Sequence, residues 1–298
     1  MEIEVEYNGV DISDKCKVNK AIHEMYLRKK SDFLEIQFDN KNDQWTMWKP
    51  DLGDTIRVKA QYADTGAMKV SEINWNFDSV TLYANAIDKA DMVTVMKSWE
   101  HVYMKQIIEE IAARHSYEVQ YFGITDRLYG YVEQNENDYA FLQKRLYLED
   151  ASFVVYNGKI IVYSNEYFAD MDAVMSLSLN RDMEYKLYDS QMYGSCYVTN
   201  GTHEGKHIIN LDDHVLSQNL NVNIESMAEA DRYAQNILSQ SNRNFDSWIR
   251  FNQCYTALTA GSVVMLSTDI QSWNTKILID HVRQDYINDK TKIWIGKV

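Results

Sequence analysis

The sequence predicts an α+β fold built mostly from antiparallel strands, and three observations carry that prediction. Apolar and polar residues alternate with period two through most of the chain. Two Asn-Gly pairs stand between alternating runs, and three stretches switch to the 3.6-residue spacing of a helix. Period two buries one face of a strand and leaves the other in water, which is the pattern of an antiparallel sheet with polar residues outward.

In order, Ile3, Val5 and Tyr7 alternate with glutamates up to Asn8-Gly9, a pair that accepts the positive φ angles of a tight hairpin turn. Leu34, Ile36 and Phe38 alternate next, followed by Ile56, Val58, Ala60 and Tyr62, and then by Val80, Leu82 and Ala84. At Ser98 the period changes. Apolar residues at 99, 103, 107, 108, 111 and 112 predict a helix over 99–115, with Ser98 as its N-cap and Arg114 and His115 at the negative end of its dipole. A short strand follows at 129–133, and a second helix over 137–149 carries Phe141, Leu142, Leu146 and Tyr147. Strands at 152–156 and 160–163 meet through Asn157-Gly158. Val174, Leu177 and Leu179 resume the strands, which continue past Tyr197. Ser226-Met-Ala-Glu229 then reads as a capping box opening a third helix, whose apolar face is Ala230, Tyr233, Ala234, Ile237 and Leu238. From about residue 249 the chain returns to strands.

The two ends of the chain echo each other. Gly53-Asp-Thr-Ile56-Arg-Val58, Lys69-Val-Ser-Glu-Ile73 and Val80-Thr-Leu82 parallel Gly261-Ser-Val263-Val264-Met-Leu266, Lys276-Ile-Leu-Ile279-Asp and Thr291-Lys-Ile293-Trp-Ile295. The offsets from Gly to Lys are 16 and 15 residues, so the two meanders are read as a repeat.

Size and composition narrow the function classes. The 298 residues, 45% hydrophobic and 25% charged, suit two domains or one large one with an ordinary globular core. One proline and 11 glycines leave no room for a flexible linker, so any domains are interleaved or packed directly on one another. No run of 18 apolar residues is present to make a transmembrane helix, and the acidic, alternating Met1-Glu-Ile-Glu-Val-Glu start is unlike a signal peptide. Cys16, Cys196 and Cys254, three in number and far apart, argue against a disulfide framework and for a reducing cytoplasm. Thirty basic against 44 acidic residues, a net charge of −14, disfavours sequence-specific nucleic-acid binding; the same charge would let DNA slide past without sticking.

Motifs for chemistry are sparse. His203-Glu204-Gly205-Lys206-His207 satisfies H-E-x-x-H, the zinc-peptidase pattern in which a helix sets two histidines on one face beside a general base. Here glycines flank the segment and no helical stripe runs through it, so a loop or hairpin fits better. The extended form of the motif would need Gly and His where Asn210 and Asp213 stand, leaving His214 or a later acid to complete a site. No metal, cofactor or catalytic residue is therefore assigned, and a zinc metallopeptidase using His203, Glu204 and His207 is kept as an alternative. No Gly-rich phosphate loop and no G-x-S-x-G elbow occur. Seven Trp and 21 Tyr could stack on sugars, which keeps a receptor- or carbohydrate-binding component as a further alternative; strands and protein interfaces use the same residues.

One segment resembles a known family. Tyr131-Val-Glu-Gln-Asn-Glu-Asn-Asp-Tyr-Ala-Phe-Leu-Gln-Lys-Arg-Leu146 is similar to the signature of phage late-control D proteins, the baseplate hubs of contractile tails. Glu133, Gln134, Asn137, Asp138, Phe141, Leu142, Arg145 and Leu146 carry the match, with Asn137 where the family usually has Ser. Ser98-Trp99 through Ala112, the opening Tyr7-Asn-Gly-Val-Asp-Ile-Ser13 and the closing Thr-Lys-Ile-Trp-Ile also resemble the family, whereas 180–225 matches nothing in it. The resemblance implies a non-enzymatic fold of two tube-protein-like antiparallel β-barrels with an interleaved α/β region, forming a trimeric ring. The parts would be residues 1–95 as the first barrel, 96–172 as the α/β domain and 173–298 as the second barrel with a helical insertion around 226–240. It further implies a homotrimer that joins a hexameric tail tube to a central spike protein and touches other baseplate proteins. Such a ring would sit in the baseplate of a virion or tail-like bacteriocin assembled in the bacterial cytoplasm, away from membranes. Within the signature, Phe141, Leu142 and Leu146 are expected in the core, Asn137 and Asp138 as caps, and Arg145 paired with an acid.

Overall fold

The computed structural model describes residues 2–28, 31–179, 183–188, 193–211, 214–243 and 245–298. Antiparallel pairing dominates, as the alternation requires, and the principal sheet of 14 strands draws on both ends of the chain. Its path runs Glu184–Lys186, Ser247–Phe251, Lys290–Lys297, Lys276–Asp285, Val18–Tyr26, Phe33–Asp39, Ser79–Asn85, Met68–Trp75, Thr55–Ala60, Ile3–Tyr7 and Val10–Asp11. Val263–Ser267 branches from Lys276–Asp285 and carries Met175–Ser178, while Ala63–Asp64 branches from Thr55–Ala60. The two ends meet where Val18–Tyr26 pairs with Lys276–Asp285, from Ile22 opposite Asp285 to Tyr26 opposite His281.

The repeat read in the sequence is present in the hydrogen bonding. Phe33–Asp39, Ser79–Asn85, Met68–Trp75 and Thr55–Ala60 are neighbours in the same order as Ser247–Phe251, Lys290–Lys297, Lys276–Asp285 and Val263–Ser267. Gly53 and Gly261 take φ angles of +86° and +89°, which L side chains resist. The Gly53 N–H donates to Val70 O at 2.8 Å, and the Gly261 N–H donates to Ile279 O at 2.8 Å. One bulge falls between Val70 and Glu72, and its counterpart falls between Ile279 and His281. Buried Ile36, Phe38 and Leu82 of the first copy correspond in register to buried Ile249, Phe251 and Ile293 of the second. Removing a side chain of this size from water stabilises the fold by about 1.5–3 kcal/mol. The copies differ where this path ends: Ile3–Tyr7 runs antiparallel to Thr55–Ala60, whereas Met175–Ser178 runs parallel to Val263–Ser267.

Among the described residues, five α-helices interrupt the strands: α1 (Gln44–Trp48), α2 (Met104–Arg114), α3 (Asp138–Leu148), α4 (Asn165–Asp170) and α5 (Met227–Asn242). None of the described helices is long and apolar enough to cross a membrane. The helix expected over 99–115 is corrected at its start. Ser98 and Trp99 lie in a strand, Thr94–Tyr103, and α2 begins only at Met104, with the Tyr103 N–H donating to Gln106 Oε1 at 2.9 Å. Trp99 and Tyr103 mimic a helical step of four, but Leu128–Asn137 pairs with this segment from Tyr103 to Thr94, and that partner lies outside any local window. The strand expected at 129–133 is correspondingly longer. Asn8 and Gly9, like Asn157 and Gly158, have the positive φ angles expected of their turns. Between them, Ala151–Tyr156 and Lys159–Ser164 form the expected hairpin, onto which Glu118–Phe122 adds in parallel.

Between Lys186 and Ser247 the chain leaves the principal sheet. It forms a separate three-stranded sheet, Glu204–Ile208, Tyr193–Thr199 and His214–Asn219, backed by α5. The apolar face read for this helix is buried, with Ala230, Tyr233, Ala234, Ile237 and Leu238 packed against Cys196 and Val198. Ser226 Oγ accepts the Glu229 N–H at 3.2 Å, but Glu229 Oε2 accepts from the Glu225 N–H at 2.8 Å, so the return arm of the capping box is shifted by one residue. The three cysteines are free thiols, each pushed up to about 11 by burial.

Candidate functional site

The signature residues gather around the start of α3 and the core beneath it. Asn137 caps the helix, its Oδ1 accepting the Ala140 N–H at 2.9 Å. Asp138 does not cap. It is 2% exposed, and its carboxylate takes Gln134 Nε2 at 2.7 Å and Arg114 Nη2 at 3.0 Å, with His115 Nε2 at 2.8 Å. Donors from the preceding strand and from the end of α2 thus converge on one buried acid, which holds both elements against α3. Phe141 stacks on Trp99 with ring centroids 5.5 Å apart, and Leu142 and Leu146 complete the same core. Arg145 takes a ring instead of the expected acid: its guanidinium lies 5.4 Å from the centre of Tyr129, and no ion pair to it is found among the described residues. Glu133 faces solvent opposite Ser98.

The end of α3 is tied to the inserted unit. Glu149 accepts Arg232 Nε and Nη2 at 3.1 Å each and the Tyr129 hydroxyl at 2.9 Å. Arg243 Nη1 donates to Asp150 Oδ1 at 2.8 Å, and Asn236 Nδ2 to Leu148 O at 2.7 Å. Burial beside Glu149 pushes the Tyr129 phenol far above its usual value. A polar cleft of about 460 Å³ lies among these groups, but its arginines already face carboxylates.

The H-E-x-x-H segment is not on a helix. His203 ends a turn in which its N–H donates to Asn200 Oδ1 at 2.8 Å, and Glu204–Ile208 is a strand. Four residues of extended chain set His203 and His207 about 13 Å apart, too far to share a zinc ion at about 2.0–2.1 Å from each. No group of three metal-ligating side chains is found among the described residues, and Asp213 lies outside them. Gly205 in this strand serves packing, because a Cβ there would overlap the backbone of Ala230 and Asp231.

What the surface offers is open sheet edge. Among the described residues, Ser71–Trp75 pairs only with Ser79–Asn85, and Glu184–Lys186 only with Ser247–Phe251. Exposed aromatics sit beside both edges, Trp75 and Phe77 at one and Tyr185 and Tyr188 at the other. Open edges with apolar side chains are templates for pairing with another chain. These residues do not stand out from the sequence. The alternation shows which face they occupy, but not that the strand beside them is missing.

No family model matches the chain, and no curated protein matches it. Solved structures do. A 43 kDa tail protein of prophage MuSo2 from Shewanella oneidensis is 12% identical, with a TM-score of 0.75 over 99% of this chain and 98% of that one. The tail protein from Neisseria meningitidis MC58 is 11% identical, with a TM-score of 0.75 over 99% and 96%. An Escherichia coli type VI secretion component, described as structurally similar to the T4 tail proteins gp27 and gp5, is 11% identical with a TM-score of 0.61 over 99% and 76%. Over nearly its whole length, this chain has the fold of phage tail proteins.

Proposed function

We propose that the protein is a structural part of a contractile-tail baseplate: the hub, a homotrimeric ring that adapts the hexameric tail tube to the trimeric central spike. The observation that carries this reading is the duplicated sheet. Two units with one strand order, one bulge and one glycine turn in each chain mean that three chains present six similar units. Such a ring offers a near-sixfold face to a tube and a threefold face, marked by the insertions, to a spike. The whole-length likeness to tail proteins supports the reading, as does the signature packed as core and helix cap. On this reading the parts are 1–95, 96–172 and 173–298, no residue is catalytic, and the net charge of −14 suits a channel that DNA crosses without adhering. The ring belongs to the baseplate of a phage or tail-like bacteriocin, assembled in the bacterial cytoplasm with tube, spike and other baseplate proteins.

Sedimentation velocity and negative-stain microscopy of the purified chain test this. A species of three times the 34.9 kDa chain mass, imaged as a ring of near-sixfold outline, is expected. A chain that stays monomeric both alone and with tube and spike proteins overturns the reading.

A further inference from the structure

Resting on the hub reading, the geometry points to one contact between copies: residues 72–77 of one chain add as a strand to residues 185–188 of the next, repeating between chains the junction already made within each chain. Inside the chain, Val18–Tyr26 pairs with Lys276–Asp285, with His23 opposite Gln284 and Glu24 opposite Arg283. The Tyr286 N–H continues this ladder to Ala21 O at 3.0 Å.

Each strand of that junction has a counterpart in the other copy of the sheet. The shared bulge equates Glu72, Asn74 and Trp75 with His281, Arg283 and Gln284, and by continuation Phe77 with Tyr286. On the other side, Lys20 and Ala21 face Gln37 and Ile36, as Glu184 and Tyr185 face Arg250 and Ile249. This equates Ala21, His23 and Glu24 with Tyr185, Leu187 and Tyr188. The pairing between copies is thereby dictated: Phe77 with Tyr185, Asn76 with Lys186, Trp75 with Leu187 and Asn74 with Tyr188.

Equivalent positions of the two copies differ sharply in exposure. Tyr286 is 0% exposed and packs into the core of the N-terminal copy, whereas its counterpart Phe77 is 104% exposed. Gln284 is 0% exposed, and its counterpart Trp75 is 46% exposed. Among the described residues neither edge carries a proline or a covering helix, and the bulge between Val70 and Glu72 falls just before the stretch proposed to pair, so little blunts either strand. The dictated register sets apolar Trp75 against apolar Leu187 on one face and Asn74 against Tyr188 on the other. A slip by one residue would set Trp75 against Lys186 or Tyr188. The two surfaces differ, so the contact is head-to-tail and forms a ring when its rotation closes.

The test mixes full-length chains carrying Asn74→Cys with chains carrying Tyr188→Cys, oxidises them, and reads cross-links by peptide mass spectrometry beside sedimentation velocity. The expected result is a 74–188 cystine between chains, at least tenfold more abundant than the link from Asn74→Cys to Lys186→Cys. Phe77→Asp, at a wholly exposed position, should weaken self-association at least tenfold while leaving the circular dichroism spectrum unchanged. Oligomers that form without the 74–188 link, or that are indifferent to Phe77→Asp, overturn this contact and leave the hub reading standing. A chain that is monomeric alone and with tube and spike proteins overturns both.

Discussion

The two copies of the sheet agree in their cores and differ at their rims. Phe38 and Phe251, Ile36 and Ile249, Leu82 and Ile293 fill matching positions, all buried. The rim used inside the chain is polar: Tyr286 donates to Gln284 Oε1 at 2.9 Å and lies 3.1 Å from His23 Nδ1, Gln284 Nε2 reaches Leu258 O at 2.9 Å, and Arg283 meets Glu24 at 2.8 Å. The rim left open carries Phe77, Trp75 and Leu187 at the positions of Tyr286, Gln284 and His23. A contact within one chain always has its partner nearby, so it tolerates polar groups whose net contribution is small. A contact between chains must be favourable by itself, and buried aromatic area supplies that.

The sharpest way to break this comparison is at the matched cores. Phe38→Ala and Phe251→Ala should each cost about 3–5 kcal/mol in urea unfolding. Costs differing by more than half would mean that the copies share topology without sharing packing. Next is the polar rim. Burial lowers the His23 pKa to about 4, outweighing Asp64 and Glu24, which act the other way. Below pH 6.5 the unfolded chain takes up a proton that the folded chain refuses. Stability is therefore full above pH 6.5 and is lost as pH falls to about 4, by about 3 kcal/mol in all. Comparing wild type with His23→Gln across that range isolates the effect, and parallel stability curves would refute it.

The insertion offers smaller effects. Gly205→Ala forces a methyl into the backbone of α5 and should destabilise by about 1–3 kcal/mol, read from the thermal midpoint. A neutral result would mean that α5 is loosely seated. Finally, Asn137→Ala and Ser226→Ala each remove a helix cap and should cost about 1 kcal/mol by the same measurement.

Local signals were readable and distant partners were not. Asn8-Gly9 and Asn157-Gly158 declare their turns by the φ angles they tolerate, Asn137 opens α3 where its capping side chain predicts, and α5 shows its apolar stripe. Gly53 and Gly261 expose the repeat because each holds the same positive-φ turn, which only glycine takes without strain. Its other half stayed hidden, since the insertion separates Glu184–Lys186 from Ser247–Phe251 while Val18–Tyr26 and Phe33–Asp39 follow one another closely. Trp99 reads as helical because its strand partner is remote in sequence, and Asp138 reads as a cap because it stands beside one; its three donors are visible only in the fold. The open edges at Trp75 and Tyr185 are legible only by comparison with the closed one.

The junction of Val18–Tyr26 with Lys276–Asp285 also sets a timetable for synthesis. His23 and Tyr286 stand 263 residues apart, which at about 5–20 residues per second is roughly 13–50 s of translation. Through that interval the edge of Val18–Tyr26 waits beside a core that lacks Tyr286, in a chain whose defining contacts are non-local and slow to form. The nascent chain is therefore most vulnerable to aggregation late in elongation, and slower decoding downstream of residue 26 lengthens that exposure.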